Sequence, residues 1–149
     1  MIEQDIKDAL QRECLAVLDS AGLTIDPISP LATNAVEKIE KSTADGFLVT
    51  AVQPREYDTP TVPTCRIAAT VTFLVRAEKT EVDFGGAVSK LLTLFDGWQA
   101  CMEDVHTLFS SPSFEVAGFR LGGGDISLDR SARTYTYSHT LEFIGVVTR

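Results

Sequence analysis

The last nineteen residues, Ser131 to Arg149, alternate polar and apolar side chains for longer than an ordinary edge strand does. Tyr135, Tyr137, His139, Leu141 and Phe143 fall on one face of an extended chain. Thr134, Thr136, Ser138, Thr140 and Glu142 fall on the other, the period-2 pattern of a half-buried strand. At ~3.3 Å per residue, the run from Ser131 to Val147 extends roughly 55 Å. A compact chain of 149 residues is about 38 Å across. Such a strand is expected to bend, curl or reach into a neighbour. Thr64 to Ala77 repeats the pattern, with Cys65, Ile67, Ala69, Val71, Phe73 and Val75 on one face. Two strands of this length point to a curved sheet or to one that a second copy completes.

The rest of the chain supplies helices to cover that sheet. Ile2, Ile6, Leu10, Cys14, Val17 and Leu18 recur at helical spacing, and Gly22 offers a C-terminal stop. Asp26-Pro27 reads as loop. Ser29 as N-cap with Pro30 behind it opens a second short helix to about Lys41, burying Leu31, Ala35, Val36 and Ile39. Gly46 to Val52 is a buried strand. Gln53 to Pro63, with Pro54, Pro60 and Pro63, is a loop. From Phe84 to Phe109 an apolar seam steps through Val88, Leu91, Phe95, Trp98, Met102 and Val105. It suits a core helix lying across a sheet, or a coiled coil, although Ala87, Leu92, Leu94 and Cys101 widen it beyond a strict coiled-coil stripe. Gly97 is expected to kink this helix or divide it at Asp96-Gly97. Phe114 to Leu121 reads as a strand, Gly122-Gly123-Gly124 as a mobile hairpin tip, and Asp125 to Leu128 as a short pairing stretch. The expected class is therefore α+β: one domain over residues 1–149, with a mainly antiparallel curved sheet. The N-terminal helix and one long central helix pack on one of its faces.

Charge and cysteine content narrow the function classes. A net charge of −8 and a pI near 4.7 argue against a surface that coats nucleic-acid phosphate. Cys14, Cys65 and Cys101 are widely spaced, each within an apolar pattern. They read as buried thiols made in a reducing compartment, not as a disulfide frame or a zinc site. Met1-Ile-Glu-Gln-Asp lacks the basic start and apolar run of a secretory signal, and no apolar run approaches the ~18 residues that span a bilayer. The expected site of synthesis is the cytosol.

No residue constellation spells out a reaction. Glu103 and His106 share a helical face, but a di-iron site needs that motif twice, with further glutamates. His139 fits a half-buried sheet position. Asp125, Ser127 and Asp129 alternate on one strand face without the glycine and closing glutamate of a calcium loop, so they read as solvated edge carboxylates. Gly122–Gly124 lacks the Gly-Lys-Ser/Thr and the following helix of a phosphate loop. Arg66, Arg76, Arg130, Arg133 and Arg149 mark strand faces and ends, where Glu142 or Asp129 of another copy could meet them. No catalytic, cofactor-binding or metal-binding residue is expected. The candidate contact residues are two loops: Gln53, Arg55, Glu56, Tyr57 and Asp58, where Tyr57 could anchor a partner, and Leu121, Gly122, Gly123, Gly124 and Asp125, a tip that could order on one.

The opening helix Ile2–Asp19, the strand Cys65–Arg76, the helix Phe84–Trp98 and the closing strand Tyr135–Phe143 follow one another in a distinctive layout. That layout resembles the tail terminator, or tail completion, proteins of long-tailed bacteriophages, most closely those of contractile-tailed, Mu-like phages. The resemblance covers nearly all the chain in order, length and texture, without a diagnostic motif. It implies a structural virion protein, not an enzyme, without cofactor. Its subunits would form a homohexameric ring on the last ring of the tail tube, stopping tube polymerisation and presenting a docking face in the neck. The implied partners are further copies of the chain, the tail tube protein, and a sheath or head-connector protein. DNA would pass through the lumen without specific binding, and no membrane is involved. The implied location is the virion tail, with assembly in the host cytoplasm. A head–tail joining or baseplate component of a phage or contractile injection system fits the same features. A small ligand-binding domain or enzyme using Glu103, His106 and Asp125 is the reading from another class.

Overall fold

Helix α1 (Ile2–Ser20) forms where the apolar spacing places it, burying Ile2, Ile6, Ala9, Leu10, Cys14 and Leu18 on one stripe. Glu3 and Asp5 in its first turn meet the positive end of the helix dipole. Gly22, at φ 82°, ends it. Its N–H bonds the Asp19 carbonyl at 2.9 Å and that of Leu23 bonds the Leu18 carbonyl at 3.3 Å, closing off carbonyls the helix leaves unpaired. Lys90, on a helix further along the chain, donates a further bond to the Ser20 carbonyl at 2.8 Å. The computed structural model describes residues 1–28, 43–57, 63–76, 81–129 and 134–147. The expected helix Ser29–Lys41, together with Asp58, Pro60, Arg130, Arg133, Arg149 and the side chains of Phe84 and Asp129, lies outside the described residues.

The strands are β1 (Ile25–Pro27), β2 (Gly46–Val52), β3 (Glu56–Tyr57), β4 (Thr64–Arg76), β5 (Phe114–Asp129) and β6 (Thr134–Val147). They form one sheet in the order β1-β2-β4-β6-β5, with β3 added beside β4. All pairs are antiparallel except β1 with β2, so the sheet is mixed, and Asp26-Pro27 belongs to a short parallel edge strand instead of a loop. The fold is α+β, as neighbouring strands without intervening helices implied.

The two long strands sit together at the centre. Cys65, Ile67, Ala69, Val71 and Phe73 face Gly145, Phe143, Leu141, His139 and Tyr137 pair by pair. This arrangement corrects the inference from strand length. β6 is paired on both sides along its whole course, by β4 and β5. β4 has β6 on one side, and β2 and β3 on the other. Neither needs a neighbouring copy to satisfy its ladder.

The apolar seam of the central helical segment is buried as its spacing requires, through Val88, Leu91, Phe95, Trp98, Val105 and Phe109. The segment is two helices, α2 (Glu81–Ala100) and α3 (Met102–Phe109). The break falls at Cys101 (φ −113°, ψ 73°), four residues past the expected point. Gly97 stays helical, and its carbonyl still accepts the Cys101 N–H at 2.9 Å. The bend carries α3 onto β5, where an aromatic cluster joins four elements. Trp98 lies 5.0 Å from Phe109 and 6.2 Å from Phe119 between ring centroids, and Phe143 lies 4.9 Å from Phe109 and 5.4 Å from Phe119. The two Trp98 pairs are near-perpendicular, at 80° and 85°, and the two Phe143 pairs are tilted, at 49° and 54°; edge-to-face pairs add ~1 kcal/mol each beyond area burial.

Candidate interaction surfaces

The first expected contact loop is anchored to α1. The Gln53 N–H bonds the Ala68 carbonyl at 2.8 Å, carrying the chain off the end of β2. Arg55 then reaches Glu3 in a two-pronged ion pair, Nε to Oε1 at 2.7 Å and a terminal guanidinium nitrogen to Oε2 at 2.8 Å. The Arg55 backbone N–H adds a third bond to Oε1 at 3.2 Å. The Arg55 side chain holds the Glu3 carboxyl at a pKa of about 2, well below its ordinary 4.5. Arg55 itself is pushed further up, chiefly by that same pair. It is therefore spent inside the molecule and is not free to meet a partner. Glu56 and Tyr57 form β3, opposite Arg66 and Cys65. Tyr57 is 52% exposed, as an aromatic anchor would be.

The second expected loop is not a loop. Leu121, Gly122, Gly123, Gly124 and Asp125 lie in the middle of the sixteen-residue strand β5, which pairs antiparallel with β6 through to Asp129. One extra residue is accommodated between Leu121 (opposite Leu141) and Gly124 (opposite His139), which makes a β-bulge. Gly122 and Gly124 are there for close approach. A Cβ on Gly124 would stand 2.6 Å from His139 Nδ1, and one on Gly122 would stand 3.0 Å from the Thr140 carbonyl oxygen. A run of three glycines reads as a turn in sequence, and its tertiary use is invisible there. The two predicted surfaces are not brought together. β4 and β6 separate them, about 14 Å across the sheet at ordinary strand spacing, and the register offsets them further along it.

A feature that composition did not reveal is the outer edge of β5. This strand ends the sheet, and among the described residues no strand pairs with its outer side. Near its start, the Val116 N–H is taken by Ser110 Oγ at 3.0 Å. Further along, Ile126 and Leu128 sit opposite Tyr137 and Tyr135, on the face that the helices cover elsewhere. They are nevertheless 57% and 45% exposed. The available signal was the alternation of Ile126 and Leu128 with Asp125, Ser127 and Asp129, which marks a strand with an apolar side.

The remaining chemical candidates are dispersed. His106 bonds Glu115 on β5 at 3.2 Å, not the expected Glu103, and both partners are exposed. His139 is buried more fully than expected. It stacks on Phe95 at 5.2 Å, and its Nδ1 meets the Tyr137 hydroxyl at 2.9 Å, while Nε2 has no partner among the described residues. Burial pushes its pKa down, against the opposing charge of Asp96. Burial also pushes the Tyr137 hydroxyl up to about 12. Cys14 and Cys65 are buried as expected, and desolvation raises the Cys14 thiol to about 12. Cys101, at the helix break, is exposed instead. It borders an open groove with Leu94, Gly97, Trp98, Asp104 and Leu108. Among the described residues, no three His, Cys, Asp or Glu side chains cluster to hold a metal, and no helix is long and apolar enough to cross a membrane.

These elements define an α+β protein with helices on one face of a mixed sheet and, among the described residues, a long open edge. No family model and no curated protein matches the chain. Among solved structures it is similar to a chain described as "Virion of native gene transfer agent (GTA) particle", at 12% sequence identity. That match has a TM-score of 0.49 and covers 89% of this chain and 84% of the other.

Proposed function

We propose that this chain is a structural protein of a phage-type tail, acting as a tail terminator. Copies of it form a ring, hexameric in the family it resembles, on the end of the tail tube. The ring stops tube growth and gives the head connector or sheath a surface to dock on. The elements that carry the resemblance recur as α1, β4, α2 and β6, in that order. The observation that carries the reading is the open outer side of β5, with Ile126 and Leu128 uncovered beside it. Long unpaired edges are surfaces that proteins either guard or use for pairing. On this reading Gln53, Glu56, Tyr57 and Asp58 form one contact patch and Leu121 to Asp125 another, while Arg55 holds the first in place from within. The acidic chain lets DNA pass without sticking.

Electron microscopy of tails assembled without the protein tests this function. Overlong tails are expected. Tails of normal length that lack heads would instead assign the chain to head–tail joining, and tails of normal length with heads would overturn both roles.

A further inference from the structure

Beyond the first irregularity of β5, the stretch from Gly118 to Ser127, Gly-Phe-Arg-Leu-Gly-Gly-Gly-Asp-Ile-Ser, has no outer strand partner among the described residues, and it holds the second irregularity, Leu121–Gly124, at its middle. It carries two charged side chains, Arg120 and Asp125, both exposed. They lie opposite Glu142 and Ser138 of β6, on the sheet face away from the helices. Phe119, Leu121, Gly124 and Ile126 lie opposite Phe143, Leu141, His139 and Tyr137, on the helix-covered face. The stretch is thus self-complementary about the point between Gly122 and Gly123. We propose that two copies of this chain pair β5 to β5 there, antiparallel and related by a two-fold axis.

In that register Arg120 of each copy stands opposite Asp125 of the other, Phe119 opposite Ile126, Leu121 opposite Gly124 and Gly118 opposite Ser127. Every opposed pair shares a sheet face, which strand pairing requires. Ile126, exposed in one copy, gains an aromatic cross-strand neighbour. The alternatives are disfavoured by the same charges. Centring the axis on Arg120 opposes two arginines, and centring it on Asp125 opposes two aspartates. Pairing Arg120 with Glu115 would need the start of the strand, where Ser110 already holds the Val116 N–H and His106 holds Glu115. Glycines at the axis remove side chains where the two bulges meet. A two-fold contact also closes on itself, so it covers the edge without seeding a filament. The pairing goes beyond the ring assignment: it describes the free protein, whose paired edges must part before β5 can serve a ring, and the tail-length experiment does not depend on it.

Sedimentation of the full chain across a concentration series, alone and as charge variants, tests the pairing. The wild type should approach twice its 16.2 kDa mass. Arg120→Asp and Asp125→Arg, each alone, place like charges opposite one another twice and should raise the dimer dissociation constant roughly tenfold or more. Mixing these two variants matches every pair again and should restore dimers, as should the double exchange within one chain. Circular dichroism confirms that each variant is folded. A wild type that stays monomeric overturns the proposal. So do single variants that dimerise like the wild type, and a mixture that remains monomeric.

Discussion

Replacing Glu3 by Gln should loosen the segment that carries Tyr57, and the size of the effect follows from the geometry. Glu3 accepts three hydrogen bonds from Arg55, two from the guanidinium and one from the backbone. Its carboxyl is shifted from 4.5 to about 2. At ~1.4 kcal/mol per pH unit, this sets an upper bound of roughly 3.4 kcal/mol on what the charge contributes. The Glu3 side chain is 15% exposed and that of Arg55 25%, so water screens part of this. Hydrogen bonds to charged groups contribute ~1.5–3 kcal/mol, and about 2 kcal/mol is the expected loss at pH 7. For a chain of this length that lowers the melting temperature by about 4–8 °C.

The pH dependence separates the ion pair from simple loss of packing. Because the folded pKa of Glu3 lies below the unfolded one, its contribution is complete above 4.5 and disappears as pH falls towards 2. Melts of wild type and Glu3→Gln, followed by circular dichroism from pH 7 to pH 2.5, should therefore converge on the acid side. Equal melting temperatures at pH 7 would refute the reasoning, and so would a gap that persists unchanged at pH 2.5.

Three other outcomes are expected. Gly124→Ala should cost about 2 kcal/mol in urea unfolding, since its Cβ would meet His139 Nδ1 at 2.6 Å, whereas Gly123→Ala, with nothing within 4 Å, should be close to neutral. Stability should fall as pH drops below about 6.5, because the unfolded chain then binds a proton that buried His139 resists; His139→Phe should remove that component, which urea midpoints between pH 8 and pH 5 will show. A thiol reagent should label Cys101 quickly in the native protein and reach Cys14 and Cys65 only in denaturant.

Where periodicity decided structure, the sequence was readable. α1, β4 and β6 lie within a residue or a few of their expected bounds, since each depends on one buried face repeating at a fixed period, and β2 keeps its bounds as a short apolar run. The seam from Val88 to Phe109 was equally visible, but its break was not. Gly97 is the weaker helix former, yet Cys101 is where the chain must turn for Val105 and Phe109 to reach β5. Tertiary demand overrode local propensity there. The same holds for Gly122–Gly124, where local chemistry says turn and the need to pass over His139 and Thr140 says bulge. The Glu3–Arg55 pair, 52 residues apart in sequence, leaves no local trace at all.

Strand length proved a poor guide to assembly, and the reason is geometric. The comparison of a 55 Å strand with a 38 Å globule assumes a sphere, but a sheet covered by helices on one face is a slab. A slab can house a fourteen-residue strand of ~46 Å along its long dimension. Inside it, β4 and β6 satisfy each other. The quantity that bears on assembly is the backbone left unpaired at the sheet's margins, and this depends on strand order, which periodicity does not encode. β5 reads as three fragments in sequence because two bulges and three glycines interrupt its alternation, yet those interruptions keep it seated against β6. What they leave outward is a ten-residue edge with one positive and one negative charge placed symmetrically. That arrangement selects a single register against itself and penalises its neighbours.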